Sequence, residues 1–150
     1  MPTVESEIVI ERPVAEVYAL AQDIERFPEF MADVENVEIL EDDPPRRVSR
    51  WTGVIKEFNR TIEWTEEDYW DDEAHLCTFS QLEGDFSEYS GRWEFVEVPE
   101  GTRMRLEVNY DYDVPLIGAL IKNLLRKKMQ QNTDAMLASL KEEAESTGPE

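Results

Sequence analysis

The chain has 150 residues, 41% of them hydrophobic, and sets fifteen basic side chains against thirty-five acidic ones for a net charge of −20. That length is expected to form one domain over residues 1–150, ordered from about 3 to 144, and four Trp, five Tyr and six Phe exclude a disordered polyelectrolyte. So acidic a chain repels phosphate backbones, which excludes nucleic acid as a partner. A single cysteine (Cys77) and a single histidine (His75) exclude an internal disulfide and a His/Cys zinc site, so neither a metal nor a cofactor is expected.

The N-terminus Met1–Glu7 lacks the basic and apolar regions of a signal peptide. No run reaches the ~18 apolar residues of a membrane span. Cytoplasmic localisation is the expectation. Residues 4–10 alternate, with Val4, Ser6, Ile8 and Ile10 on one face, and read as a half-buried strand. Pro13 opens a helix through Ala21, and a second short helix is expected near Pro28. Strands follow: one through Val37 and Ile39, then Arg47–Phe58 with Ser49, Trp51, Gly53 and Ile55 on one face, then Arg60–Glu66 with Ile62 and Trp64 inward. The acidic runs 41–43, 66–68 and 71–73 read as solvated turns. Ala74–Gln81 is the next strand, with His75, Cys77 and Phe79 on one face. After a turn at 83–85, Tyr89, Gly91, Trp93 and Phe95 line one face of another strand. The last strand alternates Met104, Leu106, Val108, Tyr110 and Tyr112 with polar residues. From Pro115 to about Glu143 a long helix carries Ile117, Ile121, Leu125, Met136 and Leu140 in one stripe.

The fold class is therefore α+β: a curved antiparallel sheet of about seven strands wrapped around a long C-terminal helix, with two short helices after the first strand. One helix cannot fill the concavity of so many strands, so a cavity is expected between them. The candidate ligand-binding residues are Trp51, Phe79, Tyr89, Gly91, Trp93, Tyr110, Ile121, Leu125, Lys128 and Asn132. His75, Lys128 and Asn132 are expected to add polar groups to the wall, although Lys128 could instead snorkel past the sheet edge. The opening is expected near the 83–85 turn and the start of the last helix. Replacing Gly91 with Leu is expected to fill the cavity without disturbing the fold.

Four stretches add a family resemblance: Ile8–Tyr18, Asp23–Phe30, Glu83–Phe86 followed by Gly91–Phe95, and Gly101–Met104. Over residues 4–143 the chain resembles the START-like helix-grip superfamily, and within it the polyketide cyclase/dehydrase and coenzyme Q-binding protein families. The resemblance implies the helix-grip fold; function within the superfamily ranges from lipid carriers to cyclases. Aromatic polyketide cyclases steer ring closure with a tyrosine and an arginine in the pocket. Ungapped alignment of the local words puts these at Val34 and Asp68, so neither residue is present.

No catalytic residue is assigned. His75 has no orienting partner in the sequence, and Cys77 reads as a small core hydrophobe. The primary reading is binding or transport of a small hydrophobic ligand: a lipid, isoprenoid or polycyclic aromatic. A polyketide cyclase/aromatase is the alternative, and a protein-interaction module is the third. Lys122, Arg126 and Lys127 cluster on the last helix, where a transient contact with an anionic membrane competes with a simply solvated face. Oligomeric state leaves no sequence signal.

Overall fold

Strict alternation of apolar and polar residues dictates strands, and the computed structural model forms seven; it describes residues 3–55, 60–112 and 119–146, with the backbone alone at 55, 60 and 119–121. They are β1 (Thr3–Ile10), β2 (Val34–Asp43), β3 (Arg46–Ile55), β4 (Arg60–Asp71), β5 (Leu76–Gly84), β6 (Glu88–Val98) and β7 (Gly101–Asp111). Between β1 and β2 lie α1 (Val14–Gln22), a single 3-10 turn, and α2 (Phe27–Phe30); α3 (Ala119–Ser146) closes the described chain. The expected helix start at Pro115, and Ile117 with it, lies outside the described residues.

All neighbouring strands are antiparallel, in the order β1-β7-β6-β5-β4-β3-β2. The first strand therefore pairs with the last, with Val4 opposite Val108 and Ile8 opposite Met104. Bulges leave Glu35 and Leu40 of β2 and Leu82 of β5 without a cross-strand partner. Each bulge adds bend and twist, so the sheet curves into a trough. Met104, Leu106, Val108 and Tyr110 point into it and are buried, while Arg103 points out.

The long helix lies against β1 at one rim of the trough. As an edge strand, β1 presents unpaired backbone groups along its outer side. Side chains of α3 meet them: Gln130 Nε2 donates to the Glu5 carbonyl at 2.7 Å, and Lys141 Nζ donates to the Val9 carbonyl at 2.8 Å. At the far end the Glu145 carboxylate accepts from the Glu11 backbone N–H at 2.9 Å. Leu125, Met129, Thr133, Leu137, Leu140 and Ala144 form the buried stripe. The expected stripe is thus rotated. Leu125 and Leu140 lie within it, but Met136 and Asn132 sit on its flank, and Lys128 points away. The Ile121 side chain lies outside the described residues.

Leu137 is 1% exposed and packs where α3 meets the sheet. Leu137→Ala removes about 2–5 kcal/mol of stability, the usual cost of emptying such a site. Urea unfolding followed by tryptophan fluorescence reads this as a lower midpoint with an unchanged slope.

Candidate functional site

A helix pinned to one rim cannot fill the other side of the trough. The space left is a cavity of about 90 Å³ for the centre of a water-sized sphere, or about 770 Å³ when the partly open mouth is counted to solvent. The smaller figure is room for several waters' centres without any movement of the walls. Three tryptophans, Trp51, Trp64 and Trp93, line it together with Phe79, Phe86 and Tyr89. The aliphatic part of the wall comes from Val34, Ile62, Leu106 and Val108, and α3 contributes Met129, Asn132, Thr133 and Met136.

The aromatic wall is set by cross-strand pairing. Trp51 of β3 stands opposite Trp64 of β4, and their rings stack with centroids 5.9 Å apart and planes 8° apart. Phe86 and Tyr89 stack at 4.6 Å, and Tyr89 also meets Trp64 at 5.1 Å and Phe79 at 5.5 Å. Such contacts lock the rings, because offset and edge contacts between aromatics add to what burial alone supplies. Where the wall meets solvent, Asp33 ties three elements together. Its carbonyl accepts from Val54 N–H at 2.9 Å. With the Asn132 amide oriented so that its nitrogen faces Asp33, that nitrogen donates to Asp33 Oδ2 at 3.1 Å.

One polar group reaches the floor of this apolar space, and sequence reasoning missed it. The structure extends β4 through Asp71, so the acids at 66–68 are mid-strand and not a turn. Ile62, Trp64, Glu66, Asp68 and Trp70 all face inward, and Glu66 lines the cavity. Glu66 and Asp68 are 5% and 2% exposed. Trp64 Nε1 donates to Glu66 Oε1 at 2.8 Å. Beyond Glu66, Ser49 Oγ donates to Asp68 Oδ2 at 3.5 Å while accepting from Trp51 Nε1 at 3.0 Å. Arg47 stands directly opposite Asp68 on β3 and supplies a positive charge. Its own guanidinium is held by the Gln22 carbonyl at 2.6 Å.

Two adjacent buried carboxylates cannot both ionise cheaply. Burial first, then the charge of Asp68 and the hydrogen bond to it, hold the Glu66 carboxyl well above the ordinary glutamate range. Burial pushes Asp68 up as well, opposed by the hydrogen bond from Glu66, by Arg47 and by Ser49. Both carboxyls are thus held above their ordinary ranges, Glu66 the further, which favours one proton held between them. The two carboxyls share a hydrogen bond, and Asp68 Oδ1 is buried with no other donor among the described residues.

The remaining candidates divide. Trp51, Phe79, Tyr89, Trp93 and Asn132 lie together on the cavity wall. Leu125 is buried but outside the wall, and so is Tyr110, whose hydroxyl has no partner among the described residues. Lys128 Nζ donates to Gln131 Oε1 at 3.2 Å on the exposed face, because the buried stripe passes through Met129 and Thr133. His75 is not mid-strand: it sits in the turn before β5 at φ 52°, with its ring 4.9 Å from that of Tyr18 and away from the cavity. Gly91 is not an opening to be filled. A Cβ there would fall 2.0 Å from the Glu107 carbonyl oxygen and 2.7 Å from Phe79 Cζ, so Gly91→Leu would disrupt the β6–β7 pairing. The 83–85 turn borders a separate polar groove, not the cavity, and the start of the last helix lies outside the described residues. Burial raises the Cys77 thiol far above its usual range, which suits a core residue and not a nucleophile. Among the described residues no group of His, Cys, Asp or Glu is arranged to hold a metal. No helix there is long and apolar enough to cross a membrane.

A curved seven-stranded sheet gripping a long C-terminal helix, with two short helices after the first strand, is the helix-grip fold of START-like proteins. The chain belongs to the family described as polyketide cyclase / dehydrase and lipid transport, which matches residues 10–137. A candidate polyketide cyclase of Streptomyces cyaneus is 32% identical over 101 residues, 67% of this chain and 66% of that protein, so the match spans just under two thirds of the relative. The crystal structure of TTHA0849 from Thermus thermophilus is 35% identical, covers 99% of this chain and 100% of that one, and superposes with a TM-score of 0.93. The Zhui aromatase/cyclase from Streptomyces sp. R1128 has a TM-score of 0.87 at 20% identity over 96% and 93% of the two chains, a likeness of fold.

A carboxyl whose pKa is raised on folding binds its proton more tightly in the native state. The stability it contributes is present at low pH and is lost as pH rises above the ordinary glutamate range. Glu66→Gln keeps the shape and removes the titration. In urea unfolding at a series of pH values, the variant should match the parent near pH 4.5. It should then gain on the parent by up to about 1.4 kcal/mol per pH unit until Glu66 ionises.

Proposed function

We propose that this chain binds a small, largely apolar molecule in the cavity between α3 and the sheet, and carries it without converting it. A lipid, an isoprenoid or a polycyclic aromatic fits that description. The observation that supports the reading is the wall itself: six aromatic rings, five of them locked in mutual contact, around an unfilled space. Each Å² of apolar ligand surface taken from water there contributes about 25 cal/mol before the ordering costs of binding. Lys122, Arg126 and Lys127 are exposed on α3 and would suit loading from an anionic membrane surface.

The second reading is an enzyme of the polyketide cyclase type. It is favoured by the Streptomyces cyaneus relative and by a buried acid pair whose Glu66 lines the cavity. Against it, the two positions expected to hold a ring-closing tyrosine and arginine are Val34, on the cavity wall, and Asp68, beneath Glu66. With no cyclisation residue at either position, carriage is the better account.

Fluorene is a neutral, fully apolar probe, and the three wall tryptophans should report its arrival as quenching. Gly53 lines the cavity, and a Cβ there meets only the Trp64 ring at 3.4–3.6 Å and the Asp33 carbonyl oxygen at 3.7 Å. Gly53→Leu therefore fills the space from the β3 side at a stability cost of about 1–3 kcal/mol. It should weaken fluorene binding at least tenfold. Unchanged binding in a folded Gly53→Leu variant contradicts the cavity as the binding site.

A further inference from the structure

The cavity has a chemical polarity that its apolar walls conceal. Glu66 is the one carboxyl on its floor, and both of its oxygens are already committed. Oε1 accepts from Trp64 Nε1 at 2.8 Å, and the carboxyl shares its other hydrogen bond with the buried Asp68 beneath it. What Glu66 has left to offer the cavity is lone pairs, so it acts there as an acceptor and not as a donor. Tyr89, also on the wall, makes no hydrogen bond through its hydroxyl among the described residues, and its ring packs 5.1 Å from that of Trp64, the residue whose indole N–H holds Glu66. A phenol adjacent to an acceptor-only carboxyl can both give and take a hydrogen bond. The group that satisfies both at once is a hydroxyl, which donates to Glu66 and accepts from Tyr89. A ketone meets lone pair against lone pair at Glu66. A carboxylate adds a further negative charge beside a buried pair that already carries one.

We propose that Glu66 and Tyr89 form a hydroxyl-reading pair, so that the cavity selects a neutral, ring-shaped apolar ligand bearing an alcohol or phenol and discriminates against its ketone and carboxylate analogues. Other polar groups of the wall are already engaged. Thr133 Oγ1 is spent on the Met129 carbonyl at 2.7 Å, Trp51 Nε1 on Ser49, and Asp33 with Asn132 on each other at the mouth. A buried site built around particular hydrogen bonds rejects an analogue that cannot make them, because its own polar groups are then left unpaired. Glu66 and Tyr89 are specificity-determining contacts in this account. Asp68 is a positioning residue that holds the Glu66 proton away from the ligand.

This inference rests on the cavity being the binding site, and the test separates the two. Fluorene, 9-fluorenol and 9-fluorenone share one ring skeleton and differ at one carbon, and tryptophan quenching measures all three on the unaltered protein. The fluorenol should bind at least tenfold more tightly than either of the others. Glu66→Leu should leave fluorene binding within about threefold and erase the fluorenol advantage. Glu66→Gln should retain the advantage, since its amide can donate to Asp68 and its carbonyl still accepts. Tyr89→Phe should reduce the advantage without abolishing it. The infrared O–H stretch of bound fluorenol should shift to lower frequency in the parent and not in Glu66→Leu, a readout that a purely structural role for Glu66 would not move. If fluorene binds but fluorenone binds as tightly as fluorenol, or if Glu66→Leu keeps the preference, hydroxyl recognition is overturned while the cavity stands. If none of the three quenches the parent, both readings fall.

Discussion

The fold depends on where α3 is anchored. An exposed edge strand has backbone donors and acceptors that must find partners, and β1 finds some of them in side chains of the last helix. Gln130 and Lys141 reach its carbonyls, and Glu145 takes the N–H just beyond its end. That tether settles two things together. It covers an edge that would otherwise template pairing with another chain, and it holds the helix at one rim of the trough. The bulged, curving strands β2 to β5 are then left with an inner face that the short helices cover only at its ends, through Phe27 against Trp51 and Tyr18 against Trp70. Aromatic side chains from four strands and the loop before β6 reach into that space and prop it open. The cavity follows from this geometry, with no need for a special cavity-forming residue.

An apolar cavity with one carboxyl on its floor and a second buried beneath it is costly unless the pair is neutralised internally. The arrangement around Asp68 does so step by step: Arg47 opposite it across β3 and β4, Ser49 beside it, and a hydrogen bond shared with Glu66. The indole N–H groups of Trp51 and Trp64, whose rings are part of the hydrophobic wall, supply further hydrogen bonds to the same network. One stacked tryptophan pair thus serves both packing and polar satisfaction. Removing either indole would take a hydrogen bond from a buried oxygen, Ser49 Oγ or Glu66 Oε1, as well as leaving a gap in the wall.

Much of this is legible in the chain. Period-two alternation marks every strand, most clearly β7, where Met104 to Tyr110 alternate with Arg103 to Asn109. The break at Pro115 and the apolar residues beyond it mark the last helix, and the excess of strands over helices implies an unfilled concavity. The acid pair escapes that reading because Glu66-Glu67-Asp68 has the composition of a turn. Carrying the alternation on to Trp70 places Glu66 and Asp68 in line with Ile62, Trp64 and Trp70. Lys128 falls on the wrong side of α3 because a projection from a few apolar residues tolerates a rotation of one position, and the helix uses it to bury Met129 and Thr133. The role of Gly91 has no sequence signal at all. It is set by the approach of the β7 backbone at Glu107, which no local pattern encodes.

The account centres on a ligand-accessible space between α3 and the curved sheet, and the methionines offer a direct reading of it. Met129 and Met136 line the cavity from the helix, while Met104 is fully buried in the closed part of the core. With the methionine methyl groups labelled with carbon-13, titration with fluorene followed by NMR should shift the Met129 and Met136 signals together, to one saturating affinity, and leave Met104 in place. Shifts confined to methyls outside the cavity, or no saturable shift at Met129 and Met136, would contradict it.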